Sequence, residues 1–224
     1  MSISFAHLRL WQLISPTLPV GAYAFSAGLE YACEAGWIRT EAATGDWVGG
    51  QLEHALAALD VPVLARLYRA WERDDDAAID YWNGFLGASR ETRELQEEDR
   101  HMGAALARLL TDLDIDRAEA WLARGDGSFL TLFTLAAQRW QVSLETTAAG
   151  YLWAWCENQV AAAIKLVPLG QTAGQRLLLK LSDRIPACMA HGLALADDDI
   201  GVASPGVVLA SSRHETQYSR LFRS

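Results

Sequence analysis

An apolar segment over residues 151–167 constrains the fold of this chain more than any other stretch. Its apolar side chains, among them Tyr151, Trp155 and Ile164, fall on more than one face of a helix, and a helix with that pattern is largely buried in a folded domain. We expect the helix to end at Pro168, because the residue before a proline is disfavoured in the α conformation. The remaining chain must therefore supply the elements that cover this central helix.

The central helix also carries polar side chains, which are costly to bury unless they are paired. They are Glu157, Asn158, Gln159 and Lys165. Two interpretations of Lys165 stay open: its ammonium group reaches solvent near the C-terminal carbonyls of the helix, or it acts at an interface or in a functional site. After Pro168, Thr172 and Gln175 have the spacing of a capping box, which predicts that a second helix starts at Thr172.

Helical spacing of apolar residues extends over most of the remaining chain. No proline occurs between Pro62 and Pro168, so no residue in that stretch forces a helix to end. We predict that Asp60 and Ser143 act as N-caps, and that Pro62 is tolerated in the first turn after Asp60. Further helices are predicted over residues 7–14, 23–35, 40–59, 76–86, 89–110, 118–123 and 129–140, and no stretch has the pattern of a strand. The sequence therefore predicts an all-α fold, a single-domain helical bundle.

The length and charge of the chain exclude several classes of partner. With 224 residues, 51% of them hydrophobic, the chain can bury a sizeable core. Its net charge of −9 argues against nucleic acid or an anionic membrane as the main partner. No signal-peptide pattern opens the sequence and no uncharged run is long enough to span a membrane, so we expect a cytoplasmic protein.

The three cysteines are expected to be reduced, without a disulfide or a zinc site.

The C-terminal end differs in composition from the body. Residues 197–206 contain three consecutive aspartates and a Pro-Gly pair, which should interrupt helical structure. Residues 213–224 carry three arginines and one glutamate, a net charge opposite in sign to that of the whole chain. We interpret residues 1–210 as an all-helical domain and residues 211–224 as a flexible basic tail that orders on binding a partner, since arginine and aromatic residues dominate interfaces. The alternative is a frayed terminus.

The sequence has no motif typical of a catalytic or metal site. The glycine-rich stretch after the central helix is not followed by the lysine and hydroxyl residue of a phosphate-binding loop. Histidines and cysteines do not occur at metal-ligand spacing. Glu97, Glu98 and Asp99 are interpreted as the solvated face of a charged helix. We therefore predict no enzymatic activity, no cofactor and no bound metal. The alternative is a small all-α enzyme with a buried site at Glu157 and Lys165.

Four stretches of the chain carry recognisable motifs. They are SPTLPVG at 15–21, ASRETREL at 88–95, KLVPLGQ at 165–171 and RHETQYSRLFR at 213–223. Taken together they resemble the UreF-type urease accessory proteins, and the likeness spans nearly the whole chain. The resemblance implies an all-helical homodimer without enzymatic activity. It also implies a scaffold and GTPase modulator in the complex that loads nickel into apo-urease, with the accessory protein UreD (UreH in some species), the GTPase UreG and the urease apoprotein as partners.

The resemblance also assigns partner contacts to particular residues. By their positions in the motifs, the candidates are Lys165, Pro168, Gly170 and Gln171, together with the tail residues Arg213, His214, Glu215, Gln217, Tyr218, Arg220 and Arg223. Ser89, Arg90 and Glu91 are further candidates. A plain dimeric scaffold that binds only urease is another alternative for the function.

Overall fold

The structure, a computed structural model, describes residues 4–201 and 204–224, and every regular element in these two ranges is helical. The α-helices are α1 (Phe5–Leu13), α2 (Leu29–Glu34), α3 (Glu41–Gln51), α4 (Val61–Glu72), α5 (Asp76–Ser89), α6 (Arg93–Asp112), α7 (Ala118–Arg124), α8 (Phe129–Arg139), α9 (Leu144–Leu166), α10 (Gln171–Ser182), α11 (Ile185–Ala194) and α12 (Pro205–His214). Two 3-10 turns, Ala22–Ala24 and Asp197–Asp199, and a π-helical segment, Leu52–Asp60, lie between them. None of these helices combines the length and hydropathy needed to cross a bilayer. The predicted all-α, single-domain fold is confirmed.

Helix α9 lies at the centre of the bundle, as the sequence predicts. Ser143 caps its start by accepting the backbone N–H three residues on at 3.3 Å. The helix ends at Leu166, because Val167 is extended before Pro168. α9 contacts α4, α8, α10 and α11, so its side chains contribute to the main core from several sides. The predicted central helix and its C-terminal end are confirmed.

The helix break predicted at Asp60 is wrong, because the chain stays helical from α3 through the π-helical segment into α4. Asp60 has helical φ and ψ angles of −69° and −45° and caps nothing. Pro62 lacks an N–H and its ring crowds the carbonyl of Ala58, so the normal hydrogen bond cannot form. That carbonyl instead accepts the N–H of Gly201 at 3.1 Å. Pro62 therefore distorts the helix without ending it, and the Asp60 side chain is left buried inside the bundle.

Two other predicted helix starts are wrong, because a different residue begins each helix. α6 begins after Thr92, whose side chain accepts the N–H three residues on at 3.2 Å, and does not begin at residue 89. α10 begins after Gly170, so Thr172 lies inside the helix and the predicted capping box does not form.

Helix α2 is shorter than predicted because the backbone before it turns sharply. Ala27 and Gly28 have φ angles of 50° and 80°, which no helix accommodates. A Cβ on Gly28 would lie 3.1 Å from the Cβ of Ala210. Glycine at this position therefore lets α12, which the sequence analysis did not predict, pack closely against α2.

The predicted flexible tail is not confirmed, because the end of the chain packs against the body. Phe222 is 5% exposed and belongs to a second core cluster with Ala163, Val167 and Ala210. This second core cluster joins α2, the end of α9, α12 and the tail. An aromatic ring buried in this way stabilises the docked position, since Phe burial contributes roughly 1.5–3 kcal/mol. The proposed domain boundary after residue 210 falls inside α12.

Glycine at position 103 allows α6 to pack closely against the loop before α8. A Cβ at this position would overlap the backbone carbonyl oxygen of Gly127. Replacing Gly103 by alanine should therefore lower the free energy of unfolding by about 2 kcal/mol, a typical cost of overpacking. Gly84 is the matched control, because it is exposed in α5 with open space around it. Gly84→Ala should raise the same quantity by up to ~1 kcal/mol. Urea denaturation measures both, and equal effects would contradict the packing argument.

Candidate partner-binding surface

The two motif segments assigned to partner contacts lie next to each other in the structure. The Lys165 ammonium nitrogen lies 5.3 Å from the centre of the Phe222 ring, which is a cation–π distance. Pro168, Gly170 and Gln171 are exposed directly after the end of α9. We call the exposed residues of 165–171 and 213–223 the α9–tail surface. Segments more than forty residues apart in the sequence thus meet where Lys165 contacts Phe222.

The tail residues fall into two groups by exposure. Arg213, Tyr218, Arg220 and Arg223 are exposed, whereas Glu215 and Gln217 are half-buried. Among them Tyr218 is fully exposed, at 105% of the reference value. The exposed set combines arginines with an aromatic ring, the residue types that contribute most to protein interfaces.

His214 differs from the other tail candidates because it is completely buried. Its Nδ1 lies 2.9 Å from Oε2 of Glu94, and its Nε2 lies 3.1 Å from Oε2 of Glu30. The exposed fractions of the three side chains are 0% for His214, 8% for Glu30 and 4% for Glu94. The Glu30 carboxylate also accepts the backbone N–H groups of Leu221 at 2.6 Å and Phe222 at 2.8 Å. His214 and Glu30 therefore fix the position of the tail from inside the protein.

Arg90 is also held inside the protein. Its guanidinium nitrogens lie 2.6 and 3.3 Å from the two carboxylate oxygens of Asp60, whose side chain is 3% exposed. The Tyr151 hydroxyl donates to the same carboxylate at 2.8 Å. Burial and the Asp60 charge raise the pKa of Tyr151, so the phenol stays protonated. Of the neighbouring candidates, Glu91 is exposed and Ser89 donates to a backbone carbonyl of its own helix.

This network lies along a cavity of about 270 Å³ that is partly open to solvent, since its lining includes the exposed residues Tyr23 and Glu91. The other walls are mostly apolar and include Leu56, Phe133 and Trp155. Glu98 and Asp99 also line the cavity, so the prediction that they form a solvated face is wrong for both. Burial raises the pKa of Glu98 to about 7 and raises the pKa of Asp99. These residues face inward because α6 packs against α8 and α12 on that side.

The alternative site at Glu157 and Lys165 does not form in the structure. Glu157 lines the cavity, whereas Lys165 is exposed at the tail. The two residues are eight positions apart on α9, which places them about 12 Å apart along the helix axis. Glu157 and Lys165 therefore do not lie in one pocket, as they would have to if they acted together in catalysis.

The supporting roles of Asp60, Glu30 and Glu94 were not predicted from the sequence, although Glu94 lies within the 88–95 motif. Glu30 is one of two acids, with Glu34, in the mostly apolar segment 23–35, and a charge buried in such a segment needs a partner. That signal could have identified Glu30 but not His214 as its partner, because the pairing joins residues 184 positions apart.

Comparison with known proteins identifies the family. A family model described as UreF matches residues 38–182. A urease accessory protein UreF from Alkalilimnicola ehrlichii is 62% identical over 98% of this chain and 96% of its own length. Proteins of the same name from Klebsiella pneumoniae and Pseudomonas putida are 47% and 48% identical, with complete coverage of both chains in each case. The chain therefore belongs to the UreF family of urease accessory proteins, which assist an enzyme and are not enzymes themselves.

Proposed function

We propose that the protein is a scaffold and GTPase modulator in the cytoplasmic complex that delivers nickel to apo-urease. In this proposal UreD (UreH in some species), the GTPase UreG and the urease apoprotein are its partners. The observation that carries the proposal is the α9–tail surface, in which two motif segments distant in sequence lie together and are exposed. A surface of this kind suits protein binding and does not by itself perform chemistry.

The way the α9–tail surface is held supports a binding role. Phe222 anchors the tail in the second core cluster, and Leu221 beside it remains 65% exposed. A docked segment loses less conformational freedom on binding than a free one, so more of the contact energy appears as affinity. We assign direct partner contacts to the exposed candidates. His214, which is buried, and Arg90, which is half-buried and paired with the buried Asp60, would support the surface from beneath.

We also propose that the protein forms a homodimer through α1. Phe5, Leu8 and Trp11 are 85%, 47% and 53% exposed, and their spacing of three places them on the same side of a short helix. An exposed apolar cluster of this kind typically marks a protein contact. Light scattering at micromolar concentration should give twice the mass of one chain, and Trp11→Glu should shift it towards the monomer. A monomeric wild-type protein would contradict the proposal.

Substitution of Tyr218 tests the α9–tail surface. Because this ring contacts solvent on all sides, Tyr218→Ala should leave the melting temperature unchanged. It should weaken binding to the UreD–UreG partners about tenfold, which corresponds to about 1.4 kcal/mol. Tyr81→Ala is the matched control, since Tyr81 is 61% exposed on α5, away from the tail. Isothermal titration calorimetry measures the affinities. Equal affinities of the two variants would argue against the surface.

Co-purification separates the proposed function from its alternative. Tagged protein should retain UreD and UreG together, and the mixture should show an altered rate of GTP hydrolysis and of nickel-dependent urease activation. A plain dimeric scaffold would retain the urease apoprotein but neither accessory partner, and would leave the GTPase rate unchanged.

A further inference from the structure

The contacts of His214 determine how many protons its buried cluster holds. Each ring nitrogen faces a carboxylate oxygen, and a neutral imidazole has an N–H on only one nitrogen. With a neutral ring and two ionised carboxylates, a ring lone pair would face a carboxylate lone pair with almost no solvent access. One further proton, carried by the imidazole or by Glu94, turns that repulsion into a charge-assisted hydrogen bond.

The charges around the cluster favour the same proton count. Arg220 lies 3.3 Å from Glu94, so two carboxylates, an imidazolium and one guanidinium sum to zero. A neutral His214 would leave a net negative charge in a buried site, which is costly. Burial raises the pKa of Glu94, although His214 and Arg220 act in the opposite direction. The other charged or titratable groups that face the cluster and the docked tail include Cys33, Arg93, Glu97, Glu98, Glu215, Arg223 and Lys165.

We infer that Glu30, His214 and Glu94 form a proton-dependent clasp that closes the tail onto the body. Glu30 connects the buried imidazole to the tail, because it contacts His214 and also accepts the backbone N–H groups of Leu221 and Phe222. Loss of the extra proton places lone pairs against each other inside the clasp, and the tail then undocks. The clasp thereby regulates the α9–tail surface, a consequence that rests on the proposed function, whereas the docking itself does not.

Hydrogen exchange of the Leu221 and Phe222 amides measures closure directly. Docking of the tail takes up one proton. The equilibrium constant for docking should therefore fall about tenfold for each pH unit above about pH 6.5, where an imidazole in water loses its proton. The full chain is used with Glu98→Gln, since Glu98 accepts a hydrogen bond from Ser224 of the tail and burial raises its own pKa to about 7, within the pH range of the measurement. Nitrogen-15 shifts of the His214 ring, with the carbon-13 shift of the Glu94 carboxyl, locate the proton.

A matched pair of variants tests the mechanism. The amide of Glu94→Gln can donate to a ring lone pair, so the clasp should close on a neutral imidazole and its pH dependence between pH 6 and 8 should disappear. Glu97→Gln, an exposed change on the same helix, should retain the dependence. A docked tail at pH 7 with a neutral ring and two ionised carboxylates would overturn the inference, as would amide protection that does not vary with pH. If Glu94→Gln does not fold, the titration of His214 decides alone.

A binding experiment distinguishes this inference from the proposed function. The amount of UreD that the tagged protein retains is compared at pH 6 and pH 8. Capture that falls as the tail undocks supports both. A tail that undocks without any change in capture supports the clasp and contradicts the role of the α9–tail surface.

Discussion

Replacing Arg90 by methionine should lower the free energy of unfolding by about 3–5 kcal/mol. The substitution keeps much of the side-chain volume but removes the cation from Asp60, whose carboxylate is almost completely buried. Asp60 would retain the Tyr151 hydroxyl as its hydrogen-bond donor, which cannot neutralise its charge. Removing one partner of a buried ion pair is costly mainly because the other charge is stranded without solvent. Urea denaturation followed by circular dichroism measures the loss.

Two further variants control for this result. Arg184→Met breaks an ion pair with Glu53 in which the two side chains are 40% and 41% exposed, and should cost less than about 1 kcal/mol. The double variant Asp60→Asn with Arg90→Met removes both charges and should recover much of the stability. If Arg90→Met costs no more than Arg184→Met, the interpretation of Arg90 as an internal support is wrong.

Replacing Glu98 by glutamine should make the protein more stable at pH 8 by about 3 kcal/mol. Burial raises the pKa of Glu98 to about 7 in the folded protein, although the Ser224 hydroxyl and Arg90 oppose the shift. As the pH rises from about 4.5 to 7, the unfolded chain has already lost this proton while the folded protein still holds it. The wild-type protein therefore loses stability over that window by roughly 1.4 kcal/mol for each pH unit. Glutamine is uncharged at every pH and avoids the loss.

The control for Glu98 is its neighbour Glu97, whose side chain is 51% exposed. Glu97→Gln should shift the stability curve little and leave its pH dependence unchanged. Denaturation of both variants at pH 4 and pH 8 gives the comparison, and at pH 4 the difference between Glu98→Gln and the wild type should vanish. Parallel curves for Glu98→Gln and the wild type would mean that the carboxylate is ionised in the folded protein throughout.

The fold was predictable where one residue determines the local backbone. Pro168 ends α9 and Ser143 caps it, and both effects act within a few residues. Asp60 was misassigned because it has the chemistry of an N-cap and lies two residues before Pro62, yet the chain stays helical there. The docked tail was also beyond local reasoning, since Phe222 is buried by residues from α2, α9 and α12.

The candidate surface was predictable as a list of residues but not as an arrangement. Lys165 and Arg90 both belong to the recognised motifs. No local pattern indicates that Lys165 is exposed whereas Arg90 is paired with a buried carboxylate. Which candidates are exposed and which are held inside the protein depends on Asp60 and Glu30, which lie far from these motifs in the sequence. Burial of a charge is a property of the assembled bundle, so only the packed structure distinguishes contact residues from supports.

The cation–π contact between Lys165 and Phe222 makes the α9–tail surface a composite epitope. Neither half has its shape alone, because the tail takes its course from a ring seated beside the end of α9. A linear peptide with the sequence of residues 213–223 would lack the neighbouring residues 165–171, and would compete poorly with the intact protein for a partner. Ala163 is buried in the same cluster as the ring, so substitutions that enlarge it would change the shape of the binding surface without replacing any exposed residue.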